Sequence, residues 1–374
     1  MNRRPSQSRS GFDSFSPQHT AHFKAAQPGD EFFEPRPRAP LGRRVLVFLL
    51  LLLLAALAAN LAINQFVQVA RVTVPIRKMD SALEGYTLLH ISDLKGASYG
   101  ANQSRIRFAL QKEDFDAVVL TGDMVSSRGN AQPLYTLIEM LHELKPGVPI
   151  YMIPGDKDPL PASMSYAASG SPFAPWVLGA RRRGAQLLSA PVRIERDGHA
   201  LWLTTSALLS LDMDTMQEQF ERQYLDALSG DDENAIELTA YNLQWLTETR
   251  DARAQMTDED VYIALTHVPP ADEELEGAYA GSLRGRLHLV LCGHYQGGLV
   301  RLPFVGALFI PSQNLPFYGI LPGKSTYYGL TKKGGTYLYV SPGLGNNDGL
   351  YPLPFFRLFN PPTISLISLT TSSL

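Results

Sequence analysis

Five apolar stretches of this chain each end in a short run of charged, imidazole or glycine residues. The runs are His90-Ile91-Ser92-Asp93-Leu94-Lys95, Gly122-Asp123, Gly155-Asp156-Lys157-Asp158, Thr266-His267 and Gly293-His294-Tyr295-Gln296. The stretches before them read as β-strands; Ala117-Val118-Val119-Leu120 is apolar throughout, as in a strand buried on both faces. α/β folds gather their chemistry just beyond the carboxyl ends of strands. Five such ends in one chain therefore predict an α/β core with one shared site.

The intervening segments agree with that core. Strands over Tyr86–Ile91, 117–120 and 149–153 alternate with helices over 102–112 and a stripe of Leu134, Leu137, Ile138, Leu141 and Leu144. That β-α-β-α-β order predicts a parallel sheet with right-handed crossovers. Residues 170–230 read as less regular, with short antiparallel strands at 192–194 and 201–205. Asp231, Asp232 and Glu233 suit the start of a helix over 235–249. Strands return at 261–265, 287–291, 336–340 and 364–369, giving a layered sheet core with helices outside.

Among 374 residues, 45% are apolar and 18% charged, with a net charge of -3. That charge argues against a nucleic-acid surface. The single cysteine, Cys292, excludes a disulfide framework and a cysteine-cluster metal site, and its apolar neighbours make it a core thiol.

From Val45 to Ile63 the only non-apolar residue is Asn60. The run approaches the roughly 20 residues that span a bilayer. Arg36, Arg38, Arg43 and Arg44 precede it, so the positive-inside rule places the N-terminus in the cytoplasm and the rest outside. A signal cleaved near Ala56-Leu57-Ala58 is the alternative, and Arg43-Arg44 also fits a twin-arginine signal. The expected organisation is a disordered basic tail over 1–43, an anchor over 44–65, a connector over 66–82 and one domain over 83–374.

The ordered set of motifs resembles the calcineurin-like metallophosphoesterases, specifically their membrane-associated bacterial branch. That family carries Asp-x-His, Gly-Asp, Gly-Asn-His-Asp/Glu, a lone His and Gly-His-x-His in this order. The resemblance extends to Gly297–Pro303, Gly334–Ser341 and Gly343-Leu344-Gly345. It implies a four-layer α/β/β/α sandwich preceded by one transmembrane helix, and a phosphoester hydrolase. It also implies that Asp93 ligates a first metal, that Asp123 bridges two metals, and that His267 and His294 ligate the second.

Four positions depart from the family pattern. Lys95 and Gln296 stand where histidines bind the first metal. Asp156 stands for an asparagine ligand, and Lys157 for the histidine that faces the phosphate. A lysine ammonium has no lone pair to offer an ion, and a glutamine oxygen replaces imidazole poorly for transition metals. The first site is thus reduced to a remnant, Asp93 and Gln296, with Lys95 expected in the ion's place. Asp123, Asp156, His267 and His294 suit one tetrahedral divalent ion, whether zinc, manganese or iron. Lys95 and Lys157 are the expected substrate-binding residues, and Lys157 with Asp158 the expected catalytic ones. The partners expected are the membrane and a phosphorylated small molecule or lipid head group, with no nucleic acid.

Against these stand plainer readings. Asp93 and Asp123 could cap turns, and His267 could be a satisfied loop histidine. His90 reads as core, and Tyr295 as packing at the rim. Core packing is also the first expectation for Phe304, Phe309, Phe317, Tyr318, Tyr327 and Tyr328. Three functions remain open: a hydrolase with one metal, a silent relative that binds a phosphorylated ligand, or an anchored interaction protein.

Overall fold

The structure is a computed structural model that describes residues 40–126, 128–271, 275, 287–298, 300–302, 304–310, 319–321, 327–345 and 357–371. Residues 1–39 of the expected 1–43 tail, and the aromatics Phe317 and Tyr318, lie outside the described residues. The chain divides into two compact units, Met1–Leu54 and Ala55–Leu374.

The first described element is α1 (Leu41–Ile63), 23 residues long. It is long and apolar enough to cross a membrane. Next comes β1 (Gln68–Pro75), then β2 (Thr87–Ile91), α2 (Ser104–Leu110), β3 (Ala117–Thr121), α3 (Gln132–Leu144) and β4 (Ile150–Ile153). The middle of the chain holds α4 (Met164–Ala167), α5 (Pro175–Arg181), β5 (Ala185–Leu187), β6 (Val192–Arg196), β7 (His199–Thr205) and α6 (Ser206–Ser210). Then follow α7 (Met213–Ser229), α8 (Glu233–Gln255), β8 (Val261–Leu265) and β9 (Leu289–Cys292). Two small hairpin-like pairs, β10 (Arg301–Leu302) with β11 (Gly306–Ala307) and β12 (Phe309–Ile310) with β13 (Gly319–Ile320), precede β14 (Gly329–Lys333), β15 (Thr336–Val340) and β16 (Thr363–Thr370).

Two six-stranded sheets result. One runs β1-β16-β2-β3-β4-β5, the other β14-β15-β9-β8-β7-β6. β2 through β5 are mutually parallel, as are β7, β8, β9 and β15. Strand alternation sorts the side chains. Leu88, Val119, Leu203, Ile263, Leu291 and Ile367 fill the space between the sheets. Leu89, Ile91, Val118 and Leu120 face the other way, onto Ile106 of α2 and Leu134, Leu137 and Ile138 of α3. Trp202, Tyr262 and Val290 pack outside the second sheet with Ala252 of α8. This is the expected four-layer sandwich. Each such fully buried aliphatic or aromatic side chain contributes about 1.5–3 kcal/mol.

Two expectations fail. Residues 68–75, read as connector, form β1 and pair along their whole length with β16. Val69, Val72 and Val74 give the segment strand-forming residues, while Arg71 and Thr73 made it look like a linker. Residues 213–229, read as irregular, form α7. Its stripe is weak, with only Met213 and Ala227 buried. It is held instead by Asp212, whose carboxylate accepts the Thr215 N–H at 3.2 Å, and by contacts with α8: Arg250 to Asp214 at 3.0 Å and Phe220 edge-on to Trp245. Among the aromatics, Tyr327 is buried as expected, but Phe304 is almost fully exposed.

Candidate functional site

The carboxyl ends of β2, β3 and β4 in one sheet and of β8 and β9 in the other meet, and each delivers one of the five runs. The loops are laced together by main-chain bonds. Asp93 N–H donates to Gly122 O at 3.1 Å, Lys95 N–H to Asp123 O at 2.8 Å and Gly293 N–H to His267 O at 3.0 Å. Close approach demands glycine: a Cβ on Gly122, at φ +87°, would lie 2.6 Å from Gly155 Cα, and one on Gly293 would lie 1.8 Å from Ser92 Oγ. Asp93, Lys95, Asp123, His294 and Gln296 all hold left-handed φ values, between 50° and 64°. Such backbone persists only where its surroundings over-determine it, and it clusters at functional sites.

Asp123 sits at the centre, buried. Its Oδ1 accepts the Lys157 N–H at 2.8 Å and lies 3.4 Å from His267 Nε2. Its Oδ2 faces Lys95 Nζ at 3.3 Å. One carboxylate thus serves both halves of the site, as a bridging residue must. Burial would push its carboxyl up, but His267, the Lys95 ammonium and the Lys157 amide together hold it below its ordinary value.

On one side stand Asp156, His267 and His294. His267 Nδ1–H donates to Thr121 O at 2.8 Å, which fixes the tautomer and turns Nε2 inward, as an outer hydrogen bond does for a metal ligand. Nε2 lies 3.0 Å from Asp156 Oδ1, and His294 Nδ1 lies 3.2 Å from the same oxygen. Burial disfavours charge on His267, yet Asp123, Asp156 and Asp93 outweigh it and hold the ring well above its ordinary pKa. Bonds from His267 and His294, and then from Lys157, hold Asp156 far below the usual carboxylate range.

On the other side stand Asp93, Lys95 and Gln296. Asp93 Oδ2 accepts Ser92 Oγ–H at 2.7 Å and His294 N–H at 3.2 Å. Lys95 Nζ lies 3.9 Å from Asp93 Oδ1. Its side chain is only 6% exposed. Lys95 is therefore an internal cation between two carboxylates. Lys157, by contrast, is half exposed, with Nζ 2.8 Å from Asp156 Oδ2.

Asp158 bonds to backbone. Its oxygens accept Val125 N–H at 2.7 Å and Gly155 N–H at 2.8 Å. Burial pushes its carboxyl up. It closes the loop that carries Asp156 and Lys157. His90 behaves as core, bonded to Thr121 Oγ1 at 2.7 Å, and Tyr295 packs between His294 and the Ala307, Ile310 and Tyr327 cluster.

The donor set fits one divalent cation. Atoms of Asp156, His267 and His294 that could ligate lie within 4.8 Å of one another, as do those of Asp93, Asp123 and His267. Spacings of 3.0, 3.2 and 3.4 Å among Asp156, His294, His267 and Asp123 match the roughly 3.3 Å between ligands of a tetrahedral zinc with ~2.0 Å bonds. Among the described residues His294 Nε2 and Gln296 Oε1 are buried with no hydrogen-bond partner, while Asp93 Oδ1 meets the Lys95 ammonium at 3.9 Å and His267 Nε2 meets carboxylate oxygens at 3.0 and 3.4 Å. Orphaned polar atoms are costly and rare, and two beside a cluster of carboxylates and imidazoles fit a site that takes a ligand.

Sequence reasoning missed Arg357 and Asn360. Arg357 is fully buried without a carboxylate partner among the described residues, and its guanidinium donates to Gln296 O at 3.1 Å and Pro342 O at 2.7 Å. Asn360 Nδ2–H donates to Gln296 O at 2.7 Å. Neither residue belongs to a local motif, so only the long-range packing shows them.

A sequence model of the calcineurin-like phosphoesterases matches residues 86–296. No curated protein matches the sequence. Among solved structures, a phosphopantetheinyl hydrolase from Mycobacterium tuberculosis is similar at 12% identity and a TM-score of 0.33, over 70% of this chain and 91% of that one. With more than half of its 374 residues matched and its five strand ends converging as described, the chain belongs to the calcineurin-like phosphoesterases.

Proposed function

We propose that this protein is a membrane-anchored phosphoester hydrolase that works with one divalent ion and one built-in lysine cation. The observation that carries the reading is the close grouping of Asp123, Asp156, His267 and His294, with the unpartnered His294 Nε2 and Gln296 Oε1 beside it. Those four residues would hold the ion. When bound, it would polarise a phosphoryl oxygen and acidify a water. Lys95 supplies fixed positive charge beside Asp93 and Asp123, which lowers the repulsion an anionic substrate meets. Lys157, half exposed at the rim, is placed to contact phosphate as a point charge. His267 keeps its orientation through Thr121 O, and Asp158 holds the loop beneath Lys157. The helix α1 and the arginines before it support an anchor with the domain outside the cytoplasm.

The experiment is metal analysis of the purified full chain with a screen of aryl phosphate monoesters and diesters. About one ion per chain and a hydrolysis lost in His267→Ala support the reading. A chain that carries no ion and hydrolyses nothing refutes it. The burial of Lys95 between two carboxylates favours one second reading, a relative that binds a phosphorylated ligand without turnover. Binding of a phosphate analogue with one ion present and no hydrolysis would select it.

A further inference from the structure

The apolar helix carries one polar residue between Val45 and Ile63, and that residue is buried. Asn60 Nδ2–H donates to Arg357 O at 2.7 Å, and its Oδ1 accepts Phe359 N–H at 2.9 Å. One helical turn later Asn64 Nδ2–H donates to the same Arg357 carbonyl at 2.5 Å. Residues four apart share a helix face, so one face of α1 grips one backbone segment with three bonds.

The side chain of Arg357 continues the chain of contacts. Among the described residues it meets no carboxylate. It donates instead to Asn360 O at 2.6 Å, Gln296 O at 3.1 Å, Pro342 O at 2.7 Å and Gly345 O. Apart from Asn360, in its own segment, those carbonyls belong to two loops. One, residues 293–298, carries His294 and Gln296 in left-handed conformations. The other ends in Gly345, whose N–H donates to Asp93 O at 2.6 Å, beside Leu344 N–H on Ser92 O at 3.0 Å. A planar five-donor fork is the group suited to tie several carbonyls at once. A buried cation is costly unless fully hydrogen-bonded, so its presence here is explained by what it holds in place.

We infer that Asn60 and Asn64, acting through Arg357, are positioning residues for the metal centre: the last turns of the apolar helix hold the loops that present His294 and Asp93. This rests on the single-ion reading above. The helix is then part of the site's framework as well as a tether, and a soluble domain cut after it lacks the grip.

The test uses the full chain in detergent micelles, with the double variant Asn60→Leu, Asn64→Leu. Leucine suits a bilayer better than asparagine, so a helix that only anchors would tolerate the change. Two readouts are followed: zinc affinity by competition with a coloured chelator, and hydrogen exchange of residues 293–298 and 342–345. The expected result is at least about a tenfold loss of zinc affinity, the scale of outer-shell disruption. Exchange should quicken in those two loops while β3 and β8 keep wild-type rates. Arg357→Lys, which keeps the charge and loses the fork, should give the same local pattern. Unchanged affinity and exchange, or exchange that rises evenly over both sheets, would overturn the inference. If the wild type itself binds no zinc, the single-ion reading falls, and the exchange pattern alone decides the positioning role.

Discussion

Replacing Lys95 by alanine isolates the charge that stands beside Asp93 and Asp123. Its ammonium lies 3.3 Å from Asp123 and 3.9 Å from Asp93, and all three side chains are nearly or fully buried. Truncation leaves two carboxylates facing each other without their shared cation. Removing one partner of a buried ion pair costs about 3–5 kcal/mol, and two orphaned carboxylates put this variant toward the upper end. The space vacated is bordered by two carboxylates, so a divalent ion should substitute for the lysine. At a hundred times its dissociation constant, manganese would return about 2.7 kcal/mol. The assay is urea unfolding of wild type and Lys95→Ala, each with chelator and with manganese. The expected outcome is a large loss in chelator, with a manganese response greater in the variant than in the wild type. A variant within about 0.5 kcal/mol of wild type, or equal manganese responses, would refute the assignment of Lys95 as an ion substitute.

The other predictions follow from the same contacts. Changing Lys95→His together with Gln296→His returns two imidazoles to the remnant site, and bound metal should rise from about one to about two ions per chain; metal analysis that stays near one would show the backbone no longer accepts an ion there. Burial between the sheets lowers the pKa of His90 from 6.5 to about 3, so its neutral form stabilises the fold fully above its unfolded pKa and progressively less as pH falls toward 3. That contribution changes by about 1.4 kcal/mol per pH unit, or about 2 kcal/mol between pH 7.5 and 5; His90→Gln should flatten the urea-unfolding profile by that amount, and an unchanged profile would count against it. Asp158→Ala strands two backbone N–H groups and should lower stability by about 2 kcal/mol or more; lost hydrolysis at unchanged stability would instead make Asp158 catalytic.

What could be read in advance follows how local the signal was. The strand ends were legible because runs such as 117–120 are apolar throughout and end in residues with a chemical purpose. β1 was not: it is an edge strand carrying Arg71, which reaches Glu113, so its alternation looked like a polar linker. α7 draws its stability from a cap and from its neighbour rather than from a strong stripe of its own. Lys95 was located by its motif, but only packing shows that its ammonium is enclosed by carboxylates. Arg357 gave no local signal at all. Its link to Asn60 joins positions 297 residues apart, and the isolated asparagine in an apolar helix was the one hint that the helix had something to grip.

Two of the four replacements, Lys95 and Gln296, remove both first-metal histidines, and physical chemistry explains why they belong together. A lysine among the ligands would repel an ion held by the remaining ones, so a histidine at position 296 would keep an imidazole with nothing to bind. Gln296 removes that imidazole, while Arg357 and Asn360 secure its backbone. Asp93 and Asp123 carry two negative charges against one ammonium, and the balance draws positive charge toward His267, whose pKa is raised accordingly. An ion between Asp156, His267 and His294 would satisfy the same demand. The two halves are therefore coupled through Asp123, one filled permanently by lysine and the other suited to exchangeable metal. Lysine can balance charge but cannot share a lone pair with an attacking or leaving oxygen as a second ion does. Such a site should hold phosphate more readily than it cleaves it, and comparison of analogue binding with turnover, in wild type and in the double-histidine variant, measures that imbalance directly.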